Sequence, residues 1–351
     1  MATTSKISLS GGEKIELIGN LTTMLTAGIP ILEAVNSIAE DTKGNQKKIL
    51  ETIKADLMQG KQISTSLASY PRCFDKVTVN LIKAAEQAGT LEITLRDLEE
   101  HIQKDMEFAD SIKFAMMYPA LILVVFAGVM AVMLVFVVPK ISTVFSRLRV
   151  TLPLPTKIMI FMSDLLLKHT LYLVGGILII GGLFAFLYKR NKAGLLELFY
   201  RMPVVSKLMK EIDLSKFSRS MFLLLSSGVP ITSALELSRE VVFRKQTAQL
   251  IGKSREMVMG GKKLSEGLRT GKGIIPSIVI KLVEAGERSG SLDKAMSDIS
   301  THLDYQVANS LKMATAIMEP VMLILVAVCV GGMMMAIIAP IYGMIGQVGS
   351  M

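Results

Sequence analysis

Short motifs in the first half of this chain return in the second half at an almost fixed offset. Ala27-Gly28-Ile29-Pro30 comes back as Ser227-Gly228-Val229-Pro230, and Met58-Gln59-Gly60-Lys61 as Met259-Gly260-Gly261-Lys262. Glu86-Gln87-Ala88-Gly89-Thr90-Leu91 comes back as Glu287-Arg288-Ser289-Gly290-Ser291-Leu292. Tyr118-Pro119 is matched by Glu319-Pro320, and Pro139 by Pro340. The offset is 200 at the first motif and 201 at all the others. Coincidental Gly/Pro punctuation would not keep its register across so long a stretch. The chain is therefore two copies of one unit, and its fold must be one that a tandem repeat can build.

Three stretches, residues 117–138, 170–188 and 320–351, contain no Asp, Glu, Lys or Arg. A helix needs roughly 20 apolar residues, at about 1.5 Å rise each, to cross a hydrocarbon layer about 30 Å thick. All three are long enough, so the sequence reads as an integral membrane protein with most of its mass outside the lipid. That excludes an ordinary soluble enzyme. The first span closes the first copy and the third closes the second, leaving 170–188 as an extra helix between them. Cys73 and Cys329 cannot make a disulfide framework, and Cys329 lies within an apolar run. The N-terminal stretch is polar and carries no signal-peptide pattern, so the first copy is expected to stay in the cytoplasm.

The soluble parts read as helical bundles. Ile15, Ile18, Leu21 and Met24-Leu25 recur at three- and four-residue spacing, as do Leu214, Phe217, Met221 and Leu224-Leu225, and runs of alternating β-branched residues are absent. Gly28 and Gly228 suit the left-handed position just past a helix end, and Pro30 and Pro230 the first turn of the next helix. Gly89 and Gly290 mark a second corner, with Thr90 or Ser291 as N-cap and Glu92 or Asp293 in the positive first turn. Between 91 and 118, and again between 292 and 319, no proline and no internal glycine intervenes. Two geometries are open there. Either the last bundle helix runs on into the span and kinks at Pro119 or Pro320, or the proline starts a separate helix.

Three spans put both bundles on one side of the membrane and the 139–169 loop and C-terminal tail on the other. Near the membrane ends, the bundle side holds Lys104, Lys113, Lys189, Arg190, Lys192, Arg201, Lys207 and Lys312. The other side holds Lys140, Arg147, Arg149, Lys157 and Lys168. The bias places the bundles in the cytoplasm and the C-terminus in the periplasm. Small residues four apart, Ala127/Ala131, Gly181/Ala185, Ala327/Gly331 and Gly332/Ala336, are compatible with self-association, so a homo-oligomer is expected. Glu319, beside Pro320, is expected at the interface, where a carboxylate stays wet.

The sequence carries no catalytic constellation. His101 and His302 occupy equivalent positions but neither has a second ligand at i+3 or i+4, and His169 lies across the membrane from them. Gly252-Lys253-Ser254 ends like a phosphate loop, but Thr247 stands where the first Gly is needed. No nucleophile elbow or zinc-protease motif occurs. The formal charge of +9 divides unevenly: residues 1–117 carry 13 basic and 16 acidic side chains, and residues 189–319 carry 21 and 13. With aromatics only 6% of the chain, the basic excess fits an anionic membrane surface better than nucleic acid. The expectation is no enzyme, no cofactor, no metal and no nucleic-acid partner.

Taken together, these motifs resemble the type II secretion F-domain family, the inner-membrane platform proteins of type IV pilus and type II secretion machines (PilC/GspF-like). The resemblance covers about residues 13–345. It is carried by Gly28, Pro30, Gly228 and Pro230, by Gly286-Glu287-Arg288-Ser289-Gly290-Ser291-Leu292, and by Tyr118-Pro119 and Glu319-Pro320. Leu152-Pro153-Leu154-Pro155-Thr156 between spans adds Pro153 and Pro155. The first copy keeps Glu86 and Gly89 but has Ala85 and Ala88 where the second has Gly286 and Ser289. The resemblance implies an all-α membrane protein of two homologous cytoplasmic six-helix bundles and three transmembrane helices, with the N-terminus inside and the C-terminus outside. The expected parts are a tail at 1–12, a bundle at 13–117, a span at 118–138, a periplasmic loop at 139–169 and a span at 170–188. A bundle at 189–316, a span at 317–340 and a tail at 341–351 follow. The resemblance also implies a role as the base for pilus or pseudopilus assembly, with a hexameric cytoplasmic ATPase, inner-membrane alignment proteins and pilin or pseudopilin as partners. About a dozen residues precede the first bundle, which looks like the short form found in type IVb pili. A transporter or channel and a membrane-tethered signalling scaffold are the competing classes; against the first, no ionisable residue lies well inside a span.

Overall fold

The computed structural model describes residues 7–148, 153–168, 203–271 and 273–348. Among these, every secondary-structure element is helical. The first copy opens with α1 (Gly11–Thr26), α2 (Ile31–Asp41), α3 (Gly44–Met58), α4 (Ile63–Ala68) and α5 (Lys76–Ala88), followed by the long α6 (Leu91–Val132). A π-helical turn, Met133–Val137, joins α6 to α7 (Val138–Leu148), and α8 (Leu154–Lys168) follows. The second copy repeats the pattern as α9 (Pro203–Ser226), α10 (Ile231–Glu240), α11 (Lys245–Met259), α12 (Leu264–Arg269) and α13 (Ser277–Ser289), ending in α14 (Leu292–Val348). The expected span at 170–188, with His169, Gly181 and Ala185, lies outside the described residues.

The chain forms two units. One joins residues 1–111 to 205–310 and so contains both bundles; the other joins 112–204 to 311–351.

In the bundle unit the duplication is visible side chain by side chain. Leu17, Leu21, Ala34, Val35, Leu50, Ile63, Leu67, Ile82, Leu95 and Leu98 are buried. Their counterparts Phe217, Met221, Ala234, Leu235, Ile251, Leu264, Leu268, Val283, Met296 and Ile299 are buried as well. Each of these side chains other than the two alanines contributes about 1.5–3 kcal/mol of burial free energy, and the apolar period of each helix fixes which face it turns inward. The two sets merge into a single hydrophobic cluster. Consequently α9 differs from α1. On α9, Ile212, Asp213, Leu214, Ser215, Phe217, Ser218 and Ser220 are all buried, so the helix is covered on more than its core face.

Caps explain the helix starts. Ser10 Oγ accepts from Glu13 N–H (3.3 Å) and Glu13 Oε2 accepts from Ser10 N–H (2.6 Å), a reciprocal capping box on α1. Asp75 caps α5 by accepting from Thr78 N–H at 2.8 Å. The structure also shows where the offset changes from 200 to 201. The connection between α2 and α3 is residues 42–43, whereas that between α10 and α11 is residues 241–244. Asp213 of α9 holds the longer connection, its carboxylate accepting from Phe243 N–H (2.7 Å) and Arg244 N–H (2.9 Å).

Two helical stretches begin in the bundle unit and run on into the other, and these, Leu91–Phe145 and Leu292–Ile338, are long and apolar enough to cross a membrane. Only 11% of the most apolar window of each is buried, so neither is the core helix of a soluble domain. Of the two geometries open to the sequence, the continuous one is found: Pro119 lies inside α6 and Pro320 inside α14. The helix α8 packs against the π-helical turn and the end of α14, with Met159 beside Leu134, Val138, Met333 and Ala336.

Candidate functional site

The repeated Glu-x-x-Gly motif builds the corner that closes each bundle. The N-cap residues of α4 and α12, Gln62 and Lys263, make no side-chain cap of their own. The glutamate supplies it from a distance. Glu86 on α5 accepts from the N–H groups of Ile63 and Ser64 (Ser64 at 3.1 Å), and Glu287 on α13 accepts from those of Leu264 and Ser265 (Ser265 at 3.3 Å). A carboxylate on two free N–H groups at a helix start is a charge-assisted cap. Gly89 and Gly290 follow at φ 70° and 71°, and the next N–H reaches back to Ala85 (2.9 Å) and to Gly286 (3.0 Å). That left-handed position ends α5 and α13 and starts the long helices. Gly286 also brings α13 against α14: a Cβ there would meet Ala295 Cβ at 2.6 Å.

Gly28 and Gly228 end α1 and α9 in the same way, at φ 79° and 77°. Pro30 and Pro230 stand at the N-cap of α2 and α10, one position ahead of the expected first turn, with their carbonyls accepting from Ala34 and Ala234 at 2.9 Å. Pro153 precedes α8, its carbonyl accepting from Lys157 N–H at 3.1 Å, and Pro155 sits in the first turn. Tyr118, Glu319 and Pro320 are exposed, and Pro119 is buried.

Where the two bundles meet, a polar seam runs between α6 and α9. Arg219 of α9, nearly covered, faces Asp105 (3.4 Å) and His101 Nδ1 (3.5 Å) of α6, and also pairs with Asp304 of α14. Ser215 donates to that same Asp304 carboxylate. Lys216 approaches Asp105 at 3.7 Å and lies over the Phe243 ring at 5.2 Å. At the edge, Lys76 pairs with Glu240 at 2.8 Å. Together Asp75, Lys76, His101, Asp105, Lys216 and Phe243 border a cavity of about 270 Å³. Burial lowers the His101 pKa below its ordinary value, with Arg219 and Lys216 pushing the same way and Asp105 and Asp75 opposing. His302 in the second copy is exposed and lies 3.1 Å from Gln306. One sequence position thus has two environments. His302 stands on a helix surface, whereas His101 is half-buried in the seam.

The seam's other members were missed because they are not repeated. Arg219 corresponds to Gly19, Asp304 to Gln103 and Lys76 to Ser277. Their only signal in the sequence is charge, carried by α9, α14 and the start of α5. No group of three or more His, Cys, Asp or Glu among the described residues is arranged to hold a metal ion. The arrangement is one of fixed charge pairs that hold two lobes together, not of a nucleophile beside a base.

Comparison with known proteins bears on the same repeat. The sequence matches the profile of the family "Type II secretion system (T2SS), protein F" twice, over residues 17–139 and 217–340. It is 29% identical to the type IV pilus assembly protein PilC of Pseudomonas aeruginosa, covering 94% of this chain and 89% of that protein. It is 29% identical to the PilC of Thermus thermophilus, covering 93% and 81%. It is 26% identical to the type II secretion system protein F of Aeromonas hydrophila, covering 97% and 86%. With both copies matched and most of the chain covered, the protein is a member of the type II secretion system protein F family.

Proposed function

We propose that this chain is the inner-membrane platform of a type IV pilus, of the type IVb kind, which couples a cytoplasmic assembly ATPase to the extraction of pilin and the growth of the fibre. In this reading two cytoplasmic six-helix bundles, residues 13–117 and 189–316, are carried by three membrane helices at 118–138, 170–188 and 317–340. The N-terminus lies inside and the C-terminus outside, and copies of the chain associate. The partners are a hexameric ATPase, pilin and inner-membrane alignment proteins, and no catalysis is asked of the chain itself.

The observation that carries the reading is helix continuity. Each bundle contributes its last helix to the membrane without a break, α6 from Leu91 and α14 from Leu292. A helix is a stiff rod, so a torque on a bundle reaches the lipid through a rod and not through a loop. An ATPase that reorients the bundles would thereby move the spans beside a pilin subunit. The test breaks the rod without removing the protein. Helix-breaking insertions near Asp105 or Gln306 are expected to abolish fibres while the protein stays in the membrane at its normal level. Normal fibres in such a strain would end the mechanical reading.

A second reading, the platform of a type II secretion pseudopilus, is favoured by relatives of that name matching over as much of the chain as the pilus proteins do. The two are separated by the neighbouring genes. A major pilin, a prepilin peptidase and an ATPase support the pilus; several minor pseudopilins support secretion.

A further inference from the structure

The helix α8 falls in a segment, 139–169, that by charge and position reads as an aqueous loop. Its surface does not suit water. One stripe faces inward: Thr156, Met159 and Ser163 are buried against the two spans. Along the opposite stripe Leu154, Ile158, Phe161 and Leu165 are exposed at 75%, 59%, 67% and 37%, with Met162 and Leu167 beside them. A short helix with such an apolar outward stripe would leave a contiguous greasy surface in solution.

Its anchoring shows how deep it sits. Thr156 Oγ1 donates to Ala336 O of α14 (2.6 Å), and Ser163 Oγ donates to Leu134 O in the π-helical turn (2.5 Å). Both acceptors belong to the charge-free runs. Leu134 and Ala336 each lie about 15 residues, or roughly 23 Å of helix rise, past the matched prolines Pro119 and Pro320. A hydrocarbon layer is about 30 Å thick, so this level is still within the lipid zone of one leaflet. At that level the spans themselves expose Phe136, Met334, Met335 and Ile338, and the first cation beyond it on that helix is Lys140. The outer stripe of α8 therefore continues the apolar surface of the spans.

We propose that α8 is an interfacial membrane helix. It bridges the C-terminal ends of the two spans, with Leu154, Ile158, Phe161 and Leu165 in contact with lipid acyl chains. The exposed Lys157 reaches toward the headgroups along its aliphatic stem. The inward hydroxyls leave no donor facing the lipid, because each spends its hydrogen on a span carbonyl. The spare carbonyl at Leu134 is one that the π-helical turn displaces from the regular ladder.

The chain has no tryptophan, which makes the test direct. Phe161→Trp and, as a second variant at an exposed site, Leu154→Trp each give a single fluorophore in the full-length protein reconstituted in liposomes. Leu323→Trp on an exposed face of α14 serves as the lipid standard, and Tyr305→Trp on the bundle unit as the water standard. The expected result is blue-shifted emission quenched by brominated acyl chains at least about twofold more than at Tyr305→Trp, approaching Leu323→Trp. Red-shifted emission that brominated lipid leaves alone would return α8 to the aqueous loop. Blue-shifted emission without lipid quenching would mean that protein, a second copy or another segment, covers the stripe. Either result overturns the proposal, and neither bears on the pilus reading.

Discussion

The two copies have diverged most tellingly at single residues. At the closing corner the first copy has Ala85, fully buried, where the second has Gly286. The difference is forced by spacing: a Cβ at Gly286 would meet Ala295 Cβ at 2.6 Å and Leu292 Cα at 3.2 Å, atoms that have no rotamer to retreat into. Gly286→Ala should therefore push α13 off α14 and lower stability by about 1–3 kcal/mol, the usual cost of overpacking. Gly12→Ala is the matched control, because a Cβ there meets nothing within 4 Å. Chemical unfolding of the two purified variants in detergent would check this; equal midpoints would show that α14 yields more easily than its packing implies. The same contrast holds at residue 13 and its counterpart. Glu13 caps the start of its own helix, whereas Asp213, ten residues into a helix that begins earlier, turns inward to cap a different one.

That substitution of roles explains an element. A connection lengthened from 42–43 to 241–244 brings extra backbone N–H groups into a part-buried corner, and an unpaired donor shut away from water costs about 1–3 kcal/mol. Asp213 takes two of them. Burial pushes its carboxyl pKa up, and the bonds from Phe243 and Arg244 pull it back. Asp213→Asn keeps the shape but turns an amide N–H₂ toward one of those donors, leaving it unmatched. The variant should lose about 1–3 kcal/mol and show faster amide exchange at residues 241–247, while the repeat-equivalent residues 42–46 stay protected. Uniform protection across both connections would mean that α11 holds its own N-terminus. The long helices belong to this scale too. Their continuity through Pro119 and Pro320 was open to the sequence because proline in a helix interior and proline at a helix start leave the same trace in the chain.

At the scale of the whole molecule, what repeats was legible and what joins the repeats was not. The glycine corners, the paired glutamates and the core periods stand out between the copies, since both bundles are built from them. The seam is made of positions where the copies differ, so a comparison that rewards sameness passes over Arg219 and Asp304. His101 escaped for the opposite reason: it is repeated, but only one copy half-buries it against the other lobe. This has a consequence for acid. Folding lowers the His101 pKa below the ordinary value of 6.5, so the unfolded chain binds that proton more tightly. The stability tied to neutral His101 is present above 6.5 and is lost as pH falls through the lower folded value, by no more than about 1.4 kcal/mol per pH unit. Protonation sets a new cation beside Arg219 and Lys216, and Asp105 and Asp75 only partly offset it. The bundle unit should therefore weaken as pH drops below 6.5, with exchange quickening first along α6 near residue 101 and α9 near residue 219. In His101→Gln, which keeps a polar neighbour for Arg219 but cannot titrate, that part of the pH profile should flatten. Carboxylates titrating lower down act on both proteins alike, so the difference between the two curves isolates the histidine. Parallel curves through that interval would mean that the seam takes up the proton at no cost, and that the two lobes are held by their shared apolar cluster alone.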